Sequence, residues 1–175
     1  FRLHQSFSLL STCGNLALSI VTGIVVIRFL KIEHTMNTKI YKRVHTLAEE
    51  LMDAVQKKNQ DIFDRCYSEL KTVCEENENS DKDHPVQWET LADFTEDLEL
   101  AITIYDKALL KANAIKSRDF QSSIGFAIAS LKLELGDEKS AIEYLSKAEV
   151  SCKRIPDYEL KAQISDLLEK LTNSE

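Results

Sequence analysis

Residues 136–148 read GDEKSAIEYLSKA, and the prediction of the fold rests mainly on this stretch. Gly136 suits the left-handed position that ends one helix, and the side chain of Asp137 can cap the next helix. The small residues Ala141 and Ala148 lie seven positions apart, so they share one face of that helix and allow a neighbouring helix to approach closely. The stretch therefore predicts a tight junction between two packed helices.

Two earlier segments repeat the spacing of small and large apolar residues found in this helix. The pattern begins at Cys66, Ala101 and Ala141, so its starts lie 35 and 40 residues apart. Positions 0, 1, 4, 7 and 8 of each copy are apolar, except that Glu149 occupies the last position of the third copy. Repeats of this kind leave an apolar face for the next unit to cover. The alternative is an ordinary helical bundle with alanine at seven-residue intervals.

Helical periodicity continues through the rest of residues 36–175. The chain has only four Gly and two Pro, which argues against a turn-rich β fold. We expect an acidic, solvated loop over 75–83. The predicted helices cover about 40–55, 62–74, a short segment from Pro85, 97–114, a segment capped by Asp119, a segment capped by Asp137, and a last segment from Pro156. The sequence therefore predicts seven helices in an all-α domain.

Residues 136–148 resemble the turn and second helix of the tetratricopeptide-repeat (TPR) family almost position for position. The segment AITIYDKAL, residues 101–109, is a second match. The resemblance is strongest over residues 98–150 and looser over the rest of 40–172. It implies a right-handed array of about three helical hairpins, with the seventh helix as a C-terminal cap, in a protein that binds other proteins.

Residues 1–35 differ in composition from this domain. Between Leu9 and Leu30 the one charged residue is Arg28, and a segment of this length can cross a bilayer. Basic residues follow the segment, which would leave residues 36–175 on the cytoplasmic side. Three interpretations stay open for residues 1–35: a membrane anchor, a buried helix, or an extension read from upstream of a start at Met36.

The charge balance predicts the class of partner. The net charge is -7 for the chain and -9 for residues 36–175, which contain 19 basic and 28 acidic residues. Nucleic-acid binding depends on clustered Lys and Arg, so we expect no nucleic-acid partner. An acidic surface instead favours a basic protein or peptide, mainly by steering its approach. The cysteines form no C-x-x-C pair, which indicates reduced thiols and a cytoplasmic location.

Motifs that carry catalysis do not occur in the sequence. It has no glycine-rich phosphate loop, no G-x-S-x-G and no H-E-x-x-H. His84 with Asp81 and Asp83 could form a weak metal cluster, but a solvated loop is the simpler interpretation. We therefore expect no enzyme, no cofactor and no metal.

The predicted array places a concave surface along the first helices of its hairpins. Trp88 is the leading candidate contact residue there, because aromatic anchors often dominate the binding energy of an interface. The alternative is that Trp88 packs in the core. A clamp for acidic tails is not expected, since residues 85–97 contain no Lys, Arg or Asn.

The predicted function is a protein-interaction adaptor; the alternatives are a neutralising protein for a basic toxin or effector and a membrane-anchored adaptor. The candidate partner-binding residues are Lys42, His45, Glu49, Trp88, Gln121, Ser122 and Phe126.

Overall fold

The computed structural model describes residues 37–173, which form seven α-helices and no strand. The predicted all-α class is therefore confirmed over this range. The helices group into two compact units, and the division falls between Cys66 and Tyr67, within the second helix. In chain order the helices are α1 (Thr38–Lys57), α2 (Gln60–Asn77), α3 (Pro85–Asp93), α4 (Leu98–Ala114), α5 (Arg118–Glu134), α6 (Glu138–Cys152) and α7 (Tyr158–Thr172).

Side-chain caps fix where most of these helices begin. Asp97, Asp137 and Asp157 each accept a hydrogen bond from the backbone N–H three residues later, at the starts of α4, α6 and α7. Gly136 has a φ of 77°, so it occupies the left-handed position that the sequence predicts between α5 and α6.

The start of α5 differs from the prediction. Ser117, not Asp119, is its N-cap residue, and the Ser117 side chain makes no capping hydrogen bond. Asp119 lies inside the first turn, where its carboxylate complements the positive end of the helix dipole. A side chain of either type is favoured near a helix start, so the sequence alone places the boundary only to within two residues.

The first unit is built on the apolar stripe of α1. Its buried residues recur every three or four positions: Tyr41, Val44, Leu47, Ala48, Leu51 and Ala54. The Glu50 carboxylate of α1 lies 3.4 Å from the Arg65 guanidinium of α2 and accepts a hydrogen bond from the Cys66 thiol of α2 at 3.1 Å. The start of α2 is therefore held to α1 by an ion pair and a hydrogen bond.

In the second unit each helix packs against the next in sequence, from α3 to α7, and α5 also contacts α3 and α7. The small residues of the repeat, Ala101, Ala108, Ala141 and Ala148, are buried at these interfaces. Gly125 on α5 extends this close approach, because a Cβ added there would lie 3.1 Å from the Cβ of Ala148. The α5–α6 pair is thus packed too closely to accept a larger side chain at Gly125 without a shift.

The segment expected to be a solvated acidic loop is partly helical and partly buried. Helix α2 continues to Asn77, and the side chain of Asp83 is only 4% exposed. The Asp83 carboxylate lies 2.6 Å from the Lys111 ammonium of α4 and accepts a hydrogen bond from the Trp88 indole at 2.8 Å. Glu78 pairs with Lys107 of α4 at 3.0 Å. These two ion pairs therefore hold the loop against α4.

Candidate interaction site

The structure places Trp88 in the core. It is 3% exposed, its indole nitrogen donates to Asp83, and the Lys107 ammonium lies 4.5 Å from its ring centroid. All of residues 85–92 are buried, so the short helix α3 has no solvent-facing side. Trp88 therefore takes the role that the sequence left as its alternative, namely core packing.

Ser122 and Phe126 of α5 are also buried. The Ser122 hydroxyl donates to the carbonyl oxygen of Arg118, one turn earlier in the same helix. Neither side chain lines an open surface, which corrects the placement expected for them. Helical periodicity shows which residues share a face of a helix, but it does not show whether that face meets a groove or a neighbouring helix. The sequence therefore misplaced these two residues.

Three other predicted residues lie together on α1, in the first unit. Lys42 and Glu49 are exposed, and His45 is partly exposed. The His45 Nδ1 atom lies 3.3 Å from the Glu49 carboxylate, and its ring lies 6.3 Å from the ring of Tyr41. These contacts form a small polar face, typical of a helix surface in water.

Gln121 lines a cleft bounded by α4, α5 and α6. The volume of this cleft is about 240 Å³. Gly125 and Ala148, which are both buried and pack closely on each other, are among its lining residues. We call this the α4–α6 cleft; its lining residues are Leu109, Asn113, Gln121, Gly125, Tyr144, Lys147, Ala148 and Ser151.

A chain of hydrogen bonds crosses the α4–α6 cleft and links its three helices. The Ser151 hydroxyl donates to the Gln121 carbonyl oxygen at 3.3 Å, and the Gln121 amide nitrogen donates to the Asn113 carbonyl oxygen at 2.9 Å. Within residues 37–173, the Asn113 amide nitrogen has no hydrogen-bond partner. The chain therefore ends on a donor that is left for solvent or a ligand.

Tyr144 and Lys147 form the α6 wall of the cleft. The Tyr144 hydroxyl donates to Asp106 of α4 at 3.0 Å. Burial, this hydrogen bond and the negative charges of Asp106 and Glu143 together raise the pKa of Tyr144 to about 12. The Lys147 ammonium lies 5.7 Å from the Tyr144 ring centroid, and no carboxylate of residues 37–173 comes within 4.0 Å of it.

The two helices that form the outer walls of the cleft also carry exposed apolar side chains. Leu110 is 67% exposed on α4 and Val150 is 65% exposed on α6. Leu110 precedes Asn113 by three residues, and Val150 follows Lys147 by three residues, so each shares a helix face with a lining residue. The cleft itself is lined by both apolar and polar side chains, and its α4 and α6 walls carry these exposed residues within one turn of the lining.

Asn113, Tyr144, Lys147 and Ser151 were not predicted as site residues. They lie on α4 and α6, the second helices of the expected hairpins, whereas the family resemblance directs attention to first helices. One signal was present in the sequence: Tyr144 and Lys147 are large polar residues beside the small Ala141 and Ala148 positions of the repeat. Large side chains around a small one are what leave a depression on a helix surface.

His84 lies outside the α4–α6 cleft and is buried. Its Nδ1 atom accepts a hydrogen bond from the Val86 N–H at 3.3 Å, and its ring meets Phe120 edge-on at 5.3 Å. Burial lowers the pKa of His84 to about 4, although the charge of Asp83 acts in the opposite direction. His84 is therefore neutral near pH 7 and caps α3. No group of three or more His, Cys, Asp or Glu within residues 37–173 is placed to hold a metal ion.

The described cysteines are buried free thiols. Burial is the main cause that raises the pKa of Cys66, Cys74 and Cys152 above that of a free thiol. A raised pKa keeps the thiol protonated, and the thiolate is the nucleophilic form. These side chains consequently act as small apolar groups of the core.

Comparison of the chain with protein-family models, with curated proteins and with solved structures found no match. Across residues 37–173, no helix combines the length and the apolar character needed to cross a bilayer. The segment 9–30, expected as a possible anchor, lies outside the described residues.

Proposed function

We propose that this chain is a non-enzymatic protein-interaction module whose contact surface is the α4–α6 cleft. The observation that carries the proposal is the combination of an open cleft of mixed polar and apolar lining with the exposed residues Leu110 and Val150 on the two helices that form its walls. Exposed apolar side chains around a concave surface are characteristic of protein contacts.

The proposed architecture is a divergent TPR-like array in which α3 pairs with α4 and α5 pairs with α6. Two observations support it: consecutive helices pack against one another, and α5 also contacts α3 and α7. Contacts between alternate helices are expected where the first helices of successive hairpins stack. In this arrangement α7 covers the last hairpin, and the cleft lies between the second helices, α4 and α6.

The proposed partner is a protein that carries net positive charge. The net charge of -9 over residues 36–175 supports it, because opposite charge speeds the encounter of two proteins. The three buried free cysteines support a reducing, cytoplasmic setting.

Affinity capture from a native lysate tests this proposal, with the full chain as bait. Substitution of both exposed residues beside the cleft, Leu110→Asn with Val150→Asn, should remove the captured partner because it replaces exposed apolar contacts without touching the core. Leu100→Asn is the matched control, since Leu100 is another exposed leucine of α4 that lies ten residues before Leu110, about 15 Å from it along the helix axis. Capture that survives the double substitution would refute the cleft as the contact surface. A single basic protein held at one-to-one ratio would favour the neutralising function over a general adaptor.

A further inference from the structure

The volume of the α4–α6 cleft limits what it can hold. Sites for small molecules usually enclose about 300–1,000 Å³. A cleft of about 240 Å³ is smaller than such sites. It is large enough for one or two side chains of a partner, and too small for a folded element.

The free polar groups of the cleft are mainly hydrogen-bond donors. The Gln121 side-chain oxygen accepts from Ser151, and the Asn113 side-chain oxygen accepts from Gln121, so both amide oxygens are already engaged. The Asn113 amide nitrogen and the Lys147 ammonium remain open, together with the second N–H of the Gln121 amide. An occupant that satisfies them must therefore supply acceptor atoms.

The charge of the lining favours an anionic acceptor. Lys147 is the one charged residue among the described residues that line the cleft. The nearby Asp106 carboxylate does not line the cleft and already accepts the Tyr144 hydroxyl. Hydrogen bonds between an ammonium and a carboxylate are about twice as strong as those between neutral groups.

We infer that the α4–α6 cleft binds the side-chain carboxylate of an Asp or Glu residue of the partner, through Lys147, Asn113 and Gln121, while apolar neighbours of that residue pack on Leu110 and Val150. This inference rests on the proposed function. It is compatible with a partner that is basic overall, because net charge governs the approach of two proteins whereas local charge pairs fix their register.

Two blocked pentapeptides test the inference: Lys-Leu-Glu-Leu-Lys and Lys-Leu-Gln-Leu-Lys. Both are basic overall and differ only in the central carboxylate. NMR titration of the full chain should show shifts of the Asn113 and Gln121 side-chain amides with the Glu peptide. The Gln peptide should bind about tenfold more weakly, because a charge-assisted hydrogen bond is replaced by a neutral one.

Lys147→Gln should remove this preference, so that both peptides bind with similar affinity. Lys139→Gln is the matched control, because Lys139 is an exposed lysine of α6 that does not line the cleft; it should keep the preference. Equal affinity of the two peptides for the unaltered chain, or no binding of either in the millimolar range, would overturn the inference.

The two proposals fail separately. If the double substitution of Leu110 and Val150 abolishes capture of the partner but the peptides show no preference, the cleft is the contact surface and its occupant is not an acid. If capture survives the double substitution, the proposed function itself fails.

Discussion

At the scale of single residues, His84 shows how burial sets the state of a side chain. The sequence places it beside Asp81 and Asp83, in a run that is mostly charged. In the fold it is buried against Phe120 and uses Nδ1 to cap α3. Its lowered pKa makes the stability of the fold depend on pH.

We predict that acid destabilises the protein through His84. The folded pKa of about 4 lies below the value of about 6.5 in the unfolded chain, so the unfolded state binds more protons between these values. The free energy of unfolding should fall by about 2 kcal/mol from about pH 7 to about pH 5. Urea unfolding at the two pH values measures this difference. His84→Asn, which can cap but cannot titrate in this range, should remove most of it; an unchanged pH dependence would contradict the account.

Asp83 titrates at lower pH than His84 and therefore does not interfere with this test. Burial by itself would raise the pKa of Asp83, but hydrogen bonds from Lys111, the Asn79 N–H and Trp88 outweigh it and lower the pKa below 3.8. Its stabilising effect is present at higher pH and is lost only as the pH falls below about 3.8.

Trp88→Ala should destabilise the fold without acting directly on an interface. Removal of a buried tryptophan leaves a cavity and typically costs about 3–5 kcal/mol. Because Trp88 is the one tryptophan of the chain, circular dichroism during urea unfolding is the appropriate measurement. Trp88→Phe should lose less. A Trp88→Ala variant of unchanged stability that fails to capture the partner would make Trp88 a contact residue.

At the scale of helices, the caps give a matched pair of predictions. The Asp97 side chain accepts a hydrogen bond from the Leu100 N–H at 2.8 Å, whereas Ser117 at the start of α5 makes no side-chain cap. Asp97→Ala should therefore cost about 1 kcal/mol, and Ser117→Ala should change stability little. Equal losses in urea unfolding would show that the cap hydrogen bond is not the cause.

The turn between α5 and α6 gives a further prediction. Gly136 has a positive φ and no heavy atom within 4 Å of an added Cβ, so substitution there strains the backbone without a clash. Gly136→Ala should cost about 1 kcal/mol, and Gly136→Asn should cost less because asparagine tolerates the left-handed region. The order of the two melting temperatures tests this explanation, and the reverse order would contradict it.

Periodicity and capping residues predict the helices, since both are local properties of the sequence. The Gly136–Asp137 junction and the buried Ala141 and Ala148 positions follow directly from them. The burial of α3 could not be predicted, because its surroundings depend on helices distant in sequence. The same holds for Asp83, whose partner Lys111 lies on another helix.

At the scale of the whole molecule, the cleft exists only where three helices meet. Gln121 was predicted as a contact residue for its place on a first helix, and the structure places it in the cleft beside residues of α4 and α6. The depression depends on Gly125 and Ala148 being small while their neighbours are large. Sequence patterns show each helix separately, so they cannot reveal this combination.

The charge of the molecule gives a prediction about kinetics. If the acidic surface steers a basic partner, higher ionic strength should slow association much more than dissociation. Surface plasmon resonance with the captured partner at low and high salt measures both rates. A salt effect confined to the dissociation rate would argue against steering.

The most direct test of the cleft as a contact surface is site-specific photo-crosslinking of the full chain in its native cell. A photoreactive side chain is placed in turn at Leu110, Val150 and the control position Leu100. The account predicts one strong cross-linked partner at Leu110 and Val150, and none at Leu100. Equal cross-linking at all three positions, or cross-linking at Leu100 alone, would contradict it.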